Sequence, residues 1–361
     1  MRPTWLFRAY ATATRAGSSR ITRARQKRLT EAGVSDARAA EVAGHASGAR
    51  GTGRLIWFHA ASVGESLSIL PLITTLQRSC PDAQILVTSV TPSSADILAK
   101  RLPAGALHQF APVDTPQAVA RFLTHWRPDA LILVESEIWP NMLVACAQAS
   151  IPVALVGARL SEKSLKRWGK LSGTFRYLTQ DVRLVFAQNI EMARALQRLG
   201  MRATRVEVSG NLKALADPLP VDHAARASLA AAFADTPLWV AASTHPGEDA
   251  ILLGAHEILR QTMPAARLIL VPRHPERAAD IAMLAQKAGF SVARRAQGDA
   301  PEADVYLADT LGEMGLWYAL APVVFLAGSL KPIGGHNPFE VAHSGAALIS
   351  GPHVANFQET Y

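Results

Sequence analysis

The sequence predicts an α/β protein with two domains, each built on a parallel β-sheet. The chain has 361 residues and 49% of them are hydrophobic, so it can form two sizeable cores. Short apolar runs typical of buried strands alternate with helical patterns along most of its length. This alternation pauses near residue 211 and resumes after the proline- and alanine-rich stretch 214–236. The pause predicts the boundary between the two domains.

In the first half, apolar or β-branched runs predict strands, most of them followed by a polar loop and the start of a helix. The fourth run contains no polar residue, which is typical of a central strand in a parallel sheet. The predicted strands are Leu55–Phe58, Gln84–Val90, Ala106–Ala111, Ala130–Val134, Val153–Val156, Leu184–Ala187 and Val206–Val208.

The second half repeats this architecture. In both halves the polar loops follow strands, so their side chains are expected at one edge of each sheet. Two such edges facing each other would form a cleft, the usual place for a ligand. The predicted strands are Leu238–Ala242, Arg267–Val271, Val305–Ala308, Val323–Leu326 and Ala346–Ile349.

The stretch Ile56–Ser66 contains the principal candidate for a catalytic group. A buried strand ends in small residues, and Glu65 then falls on the first turn of a helix. Ligands of open α/β sheets bind at the carboxyl ends of strands, so Glu65 would be placed to act on one. The alternative is that Glu65 only caps its helix, with Ser62 as the N-cap residue.

A second group of polar side chains follows the central strand. Glu135, Glu137, Trp139 and Asn141 would form a polar pocket there. The alternative is a helix N-terminus with acidic residues in its first turn. The basic segment 159–176 is interpreted either as a solvated helix face or as a groove for a phosphorylated or lipid-bound acceptor.

The loops of the second half contain groups suited to an anionic ligand. Gly334 and Gly335 would present backbone amides to an anion at a helix start, and Arg273 would hold a phosphate or carboxylate with its planar guanidinium. Asn337 and Glu340 would hydrogen-bond a sugar hydroxyl or a base. The sequence contains neither the G-x-G-x-x-G dinucleotide motif nor a Walker P-loop.

Four histidines lie in or beside loops of the two halves, but their spacing matches no zinc signature, so no metal site is predicted. A strand-end set of Gly, Asn, Glu, Arg and Ser instead favours nucleotide-sugar binding. The four histidines are His59, His245, His274 and His336.

Residues 1–28 contain eight Lys or Arg residues and no acidic residue, in a chain of formal net charge +8. With Trp5, Phe7 and Tyr10 among them, the segment is interpreted as contacting an anionic membrane surface. A flexible basic tail, a transit-peptide-like segment and a nucleic-acid-binding arm are the alternatives. No later basic and aromatic patch supports nucleic acid as a partner. Residues 29–53 are expected to be a helix fragment and a linker, with the ordered domain beginning near Arg54.

Seven motifs, in this order along the chain, resemble those of the 3-deoxy-D-manno-octulosonic acid (Kdo) transferases. The resemblance covers about residue 54 to the end of the chain, and seven motifs together are far more specific than any one alone. They are HAASVGE at 59–65, LVESEIWPN at 133–141, SGNLK at 209–213, AASTHPGE at 241–248, PRHPER at 272–277, DTLGEM at 309–314 and GGHNPFE at 334–340.

The resemblance implies a GT-B fold, in which two Rossmann-like domains face each other across a cleft. Residues 1–53 would be a basic segment and linker, 54–211 an acceptor-binding domain, and 212–361 a donor-binding domain truncated at its C-terminus. It also implies inverting, metal-independent transfer of Kdo from CMP-Kdo to the lipid A precursor lipid IVA, with no cofactor. The enzyme would act at the cytoplasmic face of the bacterial inner membrane. Its basic N-terminal segment, in place of the family's hydrophobic anchor, implies peripheral attachment.

The residues and the resemblance together give four sets of predicted site residues. The catalytic base is Glu65. The acceptor-binding residues are Ser62, Gly64, Glu135, Glu137, Trp139, Asn141 and Arg159. The donor-binding residues are Ser243, Thr244, His245, Arg273, His274, Gly312, Glu313, Gly334, Gly335, His336, Asn337 and Glu340. The hinge residues are Gly210, Asn211 and Lys213.

Three other functions fit parts of the sequence. One is another GT-B nucleotide-sugar enzyme, similar to the UDP-N-acetylglucosamine 2-epimerases. Another is a binding protein without catalytic activity. The third is a nucleic-acid binder that uses the basic N-terminal segment.

Overall fold

The computed structural model describes residues 1–215, 218–234, 236–357 and 360–361, with the backbone but not the side chain of Lys213. Contacts divide the chain into two compact units, Met1–Ala216 and Asp217–Tyr361. Each unit contains a parallel sheet and helices, so the predicted α/β fold class is confirmed. The division falls after the boundary predicted from the sequence, because Leu212 packs against the core of the first unit.

The sheet of the first unit has seven strands among the described residues, in the order β3-β2-β1-β4-β5-β6-β7, and all neighbours are parallel. The chain extends the sheet outward from β1 on one side and then from β4 on the other, so the topological switch point lies between β1 and β4. The strands are β1 (Leu55–His59), β2 (Gln84–Ser89), β3 (Ala106–Phe110), β4 (Ala130–Val134), β5 (Val153–Ala158), β6 (Val182–Ala187) and β7 (Val206–Val208).

Many helices of this unit begin at a side-chain cap that the sequence provides. Thr91, Thr115, Ser161 and Asn189 each accept a hydrogen bond from the backbone N–H three residues further on. The helices are α1 (Trp5–Ala16), α2 (Ser18–Glu31), α3 (Asp36–Ala39), α4 (Val63–Ser68), α5 (Leu70–Ser79), α6 (Pro92–Arg101), α7 (Pro116–Trp126), α8 (Pro140–Gln148), α9 (Glu162–Lys170), α10 (Ser172–Thr179) and α11 (Ile190–Arg198).

The core of the first unit contains two buried tryptophans whose indole N–H groups are both paired. Trp57 donates to Thr88 Oγ1 at 2.8 Å, and Trp126 donates to Gln109 Oε1 at 2.9 Å. The ring of Phe122 packs between them, with its centroid 4.5 Å from that of Trp57. Paired polar atoms let large aromatic rings be buried without a desolvation penalty.

The N-terminal segment is helical and packs on the first unit, unlike the flexible tail that the sequence left open. Phe7 contacts Tyr177, with ring centroids 5.2 Å apart. Leu29 and Val42, both 1% exposed, share a buried cluster with Phe110. The ordered part of this unit therefore begins well before Arg54. No helix in the described ranges has both the length and the apolar character needed to cross a membrane.

The second unit has six strands among the residues described, in the order β10-β11-β9-β8-β12-β13, again all parallel, with its switch point between β8 and β12. The strands are β8 (Leu238–Thr244), β9 (Arg267–Pro272), β10 (Val292–Arg294), β11 (Val305–Leu307), β12 (Val323–Leu326) and β13 (Ala347–Ser350). The helices are α12 (His223–Ala232), α13 (Asp249–Thr262), α14 (Ala278–Lys287), α15 (Met314–Leu320) and α16 (Pro338–Ser344).

Strand β10 was not predicted from the sequence. It has three residues and ends at Arg294, so it lacks the apolar run by which the other strands are recognised. In the core beside it, Trp317 is fully buried, and its ring centroid lies 6.0 Å from that of Tyr306.

Candidate active site

The candidate site of the first unit lies at its topological switch point. The loop after β1 leads to Glu65, and Glu135 directly follows β4, the neighbour of β1 in the sheet. Parallel neighbours end at the same edge, so the two predicted groups of polar residues share one end of the sheet. This is where ligands bind in open α/β sheets.

Ser62 and Glu65 form a reciprocal cap at the start of α4. The Ser62 hydroxyl accepts from the Glu65 amide at 3.3 Å and donates to Glu65 Oε1 at 2.7 Å. Glu65 Oε2 accepts from the amide of Ala61 at 2.8 Å. Ser62 and Glu65 therefore cap α4, as the alternative interpretation of the sequence expected. Gly64 lies in the same first turn of this helix. Capping leaves a further lone pair on each carboxylate oxygen, which can accept another proton donor.

The environment of the Glu65 carboxyl raises its pKa. Burial is the main cause; the hydrogen bonds from Ser62 and Ala61 oppose it, and the charges of Glu137 and Glu135 add to it. Glu65 is 9% exposed, so these effects act in a medium less polarisable than water. A carboxylate with a raised pKa is a stronger base than an ordinary glutamate.

Glu137 is held by two ring systems. Its Oε2 atom lies 3.4 Å from Nε2 of His59 and accepts from the indole N–H of Trp139. The two rings meet edge to face, with centroids 5.4 Å apart. Burial raises the pKa of Glu137, but the His59 and Trp139 contacts outweigh burial and lower it. Glu137 is therefore an ionised group near Glu65, and Trp139 contributes to the site through it.

His59 is completely buried and lies between Thr88 and Glu137. The Thr88 oxygen accepts from Trp57 Nε1 and lies 2.9 Å from His59 Nδ1. The His59 ring is thereby held between the Thr88 oxygen and the Glu137 carboxylate. From the sequence, His59 was predicted only to lie beside a loop; its place as the last residue of an apolar strand was the signal for its burial.

Two residues at the strand ends have backbone conformations that are strained for a side chain. Glu135, after β4, has φ 53°, and Ser243, near the end of β8, has φ 60°. Non-glycine residues in the left-handed region cost about 1 kcal/mol or more each and cluster at functional sites. The backbone N–H of Arg159 donates to the Glu135 carbonyl at 3.5 Å, so Arg159 also lies at this edge.

Asn141 is placed inside the fold, which differs from the predicted pocket lining. It is 5% exposed, and its side-chain amide donates to the Asp114 carbonyl at 2.7 Å and to Thr14 Oγ1 at 3.0 Å. The Asp114 carboxylate in turn accepts from the amides of Asn141 and Met142 and from the Tyr10 hydroxyl at 2.9 Å. These hydrogen bonds of Asp114 link α1 to the start of α8. Asp114 was not among the site residues predicted from the sequence.

In the second unit, a cavity of about 350 Å³ lies at the carboxyl ends of β8, β9 and β11. The structure brings half of the predicted donor-binding residues to its wall, together with Thr310 and Tyr318. Those predicted residues are Ser243, Arg273, Gly312, His336, Asn337 and Glu340.

His245 and His336 form a stacked pair at this edge. Their rings are 5.2 Å apart and nearly parallel, and their Nε2 atoms are 3.0 Å apart, so one nitrogen donates and the other accepts. Burial is the main cause that lowers the pKa of His336 to about 4, and the positive charge of Arg273 adds to it. Burial likewise lowers the pKa of His245. Both rings are therefore neutral at physiological pH and can donate or accept hydrogen bonds.

Glu248 is a fully buried carboxylate that joins the loops after β8 and β12, and the sequence analysis did not select it as a site residue. Its oxygens accept from the amides of Gly328 at 2.8 Å, Ser329 at 3.0 Å and Leu330 at 2.9 Å, and from the amide of His245 at 3.0 Å. These are the two loops at the switch point of this sheet. Glu248 is the last residue of the AASTHPGE motif, and its place in this motif is the signal that could have identified it as a site residue.

Other predicted donor-binding residues have roles inside the fold. The carbonyl of buried Thr244 accepts from the Arg277 guanidinium at 3.0 Å. Glu313 pairs with Arg295 at 2.7 Å, which lowers the pKa of Glu313. His274 is exposed and lies 3.4 Å from Glu276. The Arg273 side chain forms no ion pair or hydrogen bond with the part of the chain that is described, so its guanidinium is available to a ligand.

The Gly334–Gly335 pair is placed differently from the prediction. Helix α16 begins only at Pro338, and the Gly335 amide donates to the Gly328 carbonyl at 2.8 Å, so this amide does not face a ligand. Their φ values are 111° and 79°, and a Cβ atom at Gly334 would lie 2.5 Å from Asn356 Nδ2. The glycines therefore allow close approach of the segment 354–356, a role that a helix-start interpretation could not reveal.

The predicted hinge residues follow β7, the last strand of the first unit. Gly210 has φ 82° between β7 and the 3₁₀ segment Leu212–Leu215. The side chain of Lys213 lies outside the described part. Within the described residues, no group of three or more His, Cys, Asp or Glu side chains is arranged to hold a metal ion. That Gly210, Asn211 and Lys213 act as a hinge stays a prediction.

Comparison with known proteins identifies relatives along most of the chain. Residues 24–216 match the family model of the 3-deoxy-D-manno-octulosonic acid transferases (kdotransferases). The chain is 38% identical over 323 residues to a probable mitochondrial 3-deoxy-D-manno-octulosonic acid transferase of Arabidopsis thaliana, a match that covers 87% of this chain and 72% of the relative. It is 35% identical over 311 residues to the 3-deoxy-D-manno-octulosonic acid transferase of Haemophilus influenzae, with 85% and 72% coverage.

Solved structures share the fold at low sequence identity. UDP-GlcNAc 2-epimerase from Neisseria meningitidis matches with a TM-score of 0.56 and 14% identity, over 85% of this chain and 91% of that one. A glycosyltransferase from Rickettsia africae matches with a TM-score of 0.55 and 12% identity, over 86% and 88%. These likenesses confirm the predicted GT-B type of fold. The family model and the relatives confirm the resemblance that the motifs carry: the chain belongs to the 3-deoxy-D-manno-octulosonic acid transferase family of glycosyltransferases.

Proposed function

We propose that this chain transfers Kdo from CMP-Kdo to the lipid A precursor lipid IVA during synthesis of the lipopolysaccharide inner core. The observation that carries the proposal is membership of the Kdo transferase family, with a match that covers 72% of the Haemophilus influenzae relative. The likeness to the epimerase supports the fold alone, at 14% identity.

In the proposed reaction, Glu65 acts as the general base. An acceptor hydroxyl attacks the anomeric carbon of Kdo as its proton passes to the Glu65 carboxylate. The bond between that carbon and the CMP phosphate oxygen breaks, and CMP leaves with the electron pair. Attack opposite the leaving group inverts the configuration. The raised pKa of Glu65 supports this role, because a base should hold its proton near the working pH.

We propose that the cavity of the second unit binds the donor. CMP-Kdo carries a phosphate and a carboxylate, and the unpaired Arg273 guanidinium on the cavity wall suits either anion. The neutral rings of His245 and His336, with Asn337 and Glu340, would supply hydrogen bonds to the nucleotide and the sugar. The positive charge of Arg273 would stabilise CMP as it leaves.

The acceptor is proposed to bind at the edge that carries Glu135, Glu137 and Arg159. The ionised Glu137 can accept from a sugar hydroxyl through its second oxygen, Oε1. The transfer is proposed to need neither a metal nor a cofactor. The enzyme would attach to the cytoplasmic face of the inner membrane through the basic residues of α1 and α2, with Trp5, 77% exposed, entering the interface.

The test is a transfer assay with the purified chain, lipid IVA and CMP-Kdo generated in the same tube, read by product mass. Addition of one or more Kdo masses to lipid IVA supports the proposal. CMP release without a mass change indicates donor hydrolysis and contradicts the proposed acceptor. Replacing CMP-Kdo with UDP-N-acetylglucosamine is the control for an epimerase-like activity, and conversion of that compound would favour the alternative.

A further inference from the structure

A cationic pocket of about 340 Å³ lies at the opposite edge of the first sheet from Glu65. It is formed where α10 leads into β6 and where the loop after α11 leads into β7, so it faces the amino ends of these strands. Arg176, Arg202 and Arg205 line it, and Asp181 is the acidic residue among its lining. None of these residues belongs to the predicted catalytic, acceptor, donor or hinge sets, although Arg176 is the last residue of the basic segment 159–176.

The pocket has one fixed arginine and two that are free to bind. Arg205 donates through Nη1 to the carbonyls of Gln180 at 2.7 Å and Val182 at 2.8 Å, which anchors its guanidinium at the pocket wall. Arg176 and Arg202 form no ion pair or hydrogen bond through their side chains within the described ranges, and neither is paired with Asp181. Their donors are therefore available to a ligand.

The shape of the pocket depends on Gly200. Its φ is 108°, and a Cβ atom there would lie 2.2 Å from Cγ of Arg176. The absence of a side chain lets the Arg176 stem lie across the loop between α11 and β7. The glycine thereby brings Arg176 to the same pocket as Arg202 and Arg205.

We propose that this pocket binds a phosphate group. Three guanidinium groups and the Met1 amino group, against one carboxylate, leave an excess of positive charge at the pocket, which suits the negative charge of a phosphate group. Guanidinium groups bind phosphate oxygens through paired N–H donors. The site is separate from the proposed catalytic edge, so it does not depend on the proposed function.

Two sources could supply the phosphate. One is a soluble phosphorylated compound. The other is a phospholipid headgroup, because the start of α1 is joined to α10 through Thr4 and Thr174, 3.0 Å apart, and the neighbouring Trp5 is 77% exposed. An exposed tryptophan beside arginines is typical of a membrane interface.

The experiment compares two double variants that each remove two positive charges. R176Q/R202Q changes the pocket, and R78Q/R101Q is the matched control, with exposed arginines at the ends of α5 and α6 near the other side of the same sheet. Inorganic phosphate is titrated into each protein by calorimetry at constant ionic strength. We expect the dissociation constant to rise about tenfold or more in R176Q/R202Q, because two charge-assisted contacts are lost, and to stay within about twofold in the control.

Vesicle binding identifies the source of the phosphate. Phosphatidylglycerol and phosphatidylcholine vesicles are sedimented with each protein. Loss of phosphatidylglycerol binding in R176Q/R202Q alone assigns the pocket to a headgroup, whereas loss of phosphate binding with unchanged sedimentation assigns it to a soluble compound. No phosphate binding by the wild type, or an equal loss in both double variants, overturns the proposal. If R176Q/R202Q fails to fold, R202Q against R78Q provides the same comparison.

Discussion

The Glu248 carboxylate accepts the amide hydrogen of Gly328 at 2.8 Å, across the switch point of the second sheet. The same carboxylate holds His245 in the loop after β8, so one buried group fixes two loops that border the candidate donor cavity. The Glu248 carboxylate forms no ion pair with a cation in the described part of the chain. Four backbone N–H groups donate hydrogen bonds to it instead. A buried carboxylate is stable only when hydrogen bonds of this kind replace its hydration.

Replacing Glu248 with glutamine should destabilise the second unit. Glutamine has one acceptor oxygen in place of two, so some of the four amides lose their partner, and we expect a loss of about 2–4 kcal/mol in the free energy of unfolding. Urea denaturation followed by tryptophan fluorescence measures this loss. Glu257→Gln, on the exposed face of α13, is the matched control and should change stability by less than about 0.5 kcal/mol. Equal stability of the two variants would show that the network does not hold the loops.

His336 should make the protein less stable in acid. Its pKa is lowered from 6.5 to about 4 in the folded state, so between these pH values the unfolded chain binds more protons than the folded protein. Stability therefore falls as pH decreases through this window. His336→Gln should remove this part of the decline, seen as a shallower dependence of the urea midpoint on pH. Parallel curves for the variant and the wild type would contradict the buried neutral ring.

The negative charge of Glu137 should raise the pKa of Glu65, the proposed base. The charges of Glu137 and Glu135 help to raise the pKa of Glu65, so Glu137→Gln should move the acidic limb of the transfer rate to lower pH. The pH profile of kcat/KM checks this shift, and Glu207→Gln on β7, whose side chain is exposed, should leave the limb in place. An unchanged limb in Glu137→Gln, or one at higher pH, would argue against coupling between the two carboxyls.

Tyr10 should hold α1 on the first unit. Its hydroxyl donates to the buried Asp114 carboxylate, so Tyr10→Phe should lower stability by about 1 kcal/mol and speed protease cleavage within residues 1–31. Trp5→Phe, at a residue 77% exposed, is the control and should leave cleavage unchanged. Equal cleavage rates would mean that α1 is held by its apolar contacts alone.

The sequence predicted the strands that have long apolar runs, and with them the edge of the first sheet where Glu65 and Glu135 lie and the edge of the second sheet where Arg273 lies. The sequence could not predict which backbone N–H and C=O groups are occupied by hydrogen bonds within the fold. The Gly335 amide is occupied by the Gly328 carbonyl, and Asn141 is buried beside Asp114 because α1 covers it. Both depend on contacts between segments far apart in the chain, which local patterns do not encode. Strand β10 was missed because three residues ending in arginine carry no period-two pattern.

The measurement that tests the central claim most directly is the turnover of Glu65→Gln with CMP-Kdo and lipid IVA, beside its affinity for CMP by calorimetry. The variant keeps the size of the side chain and removes the basic carboxylate. We predict that kcat falls by about 10²–10⁴ while CMP binds as in the wild type, because the base acts only on the acceptor proton. Turnover close to that of the wild type, with normal CMP binding, would contradict Glu65 as the base.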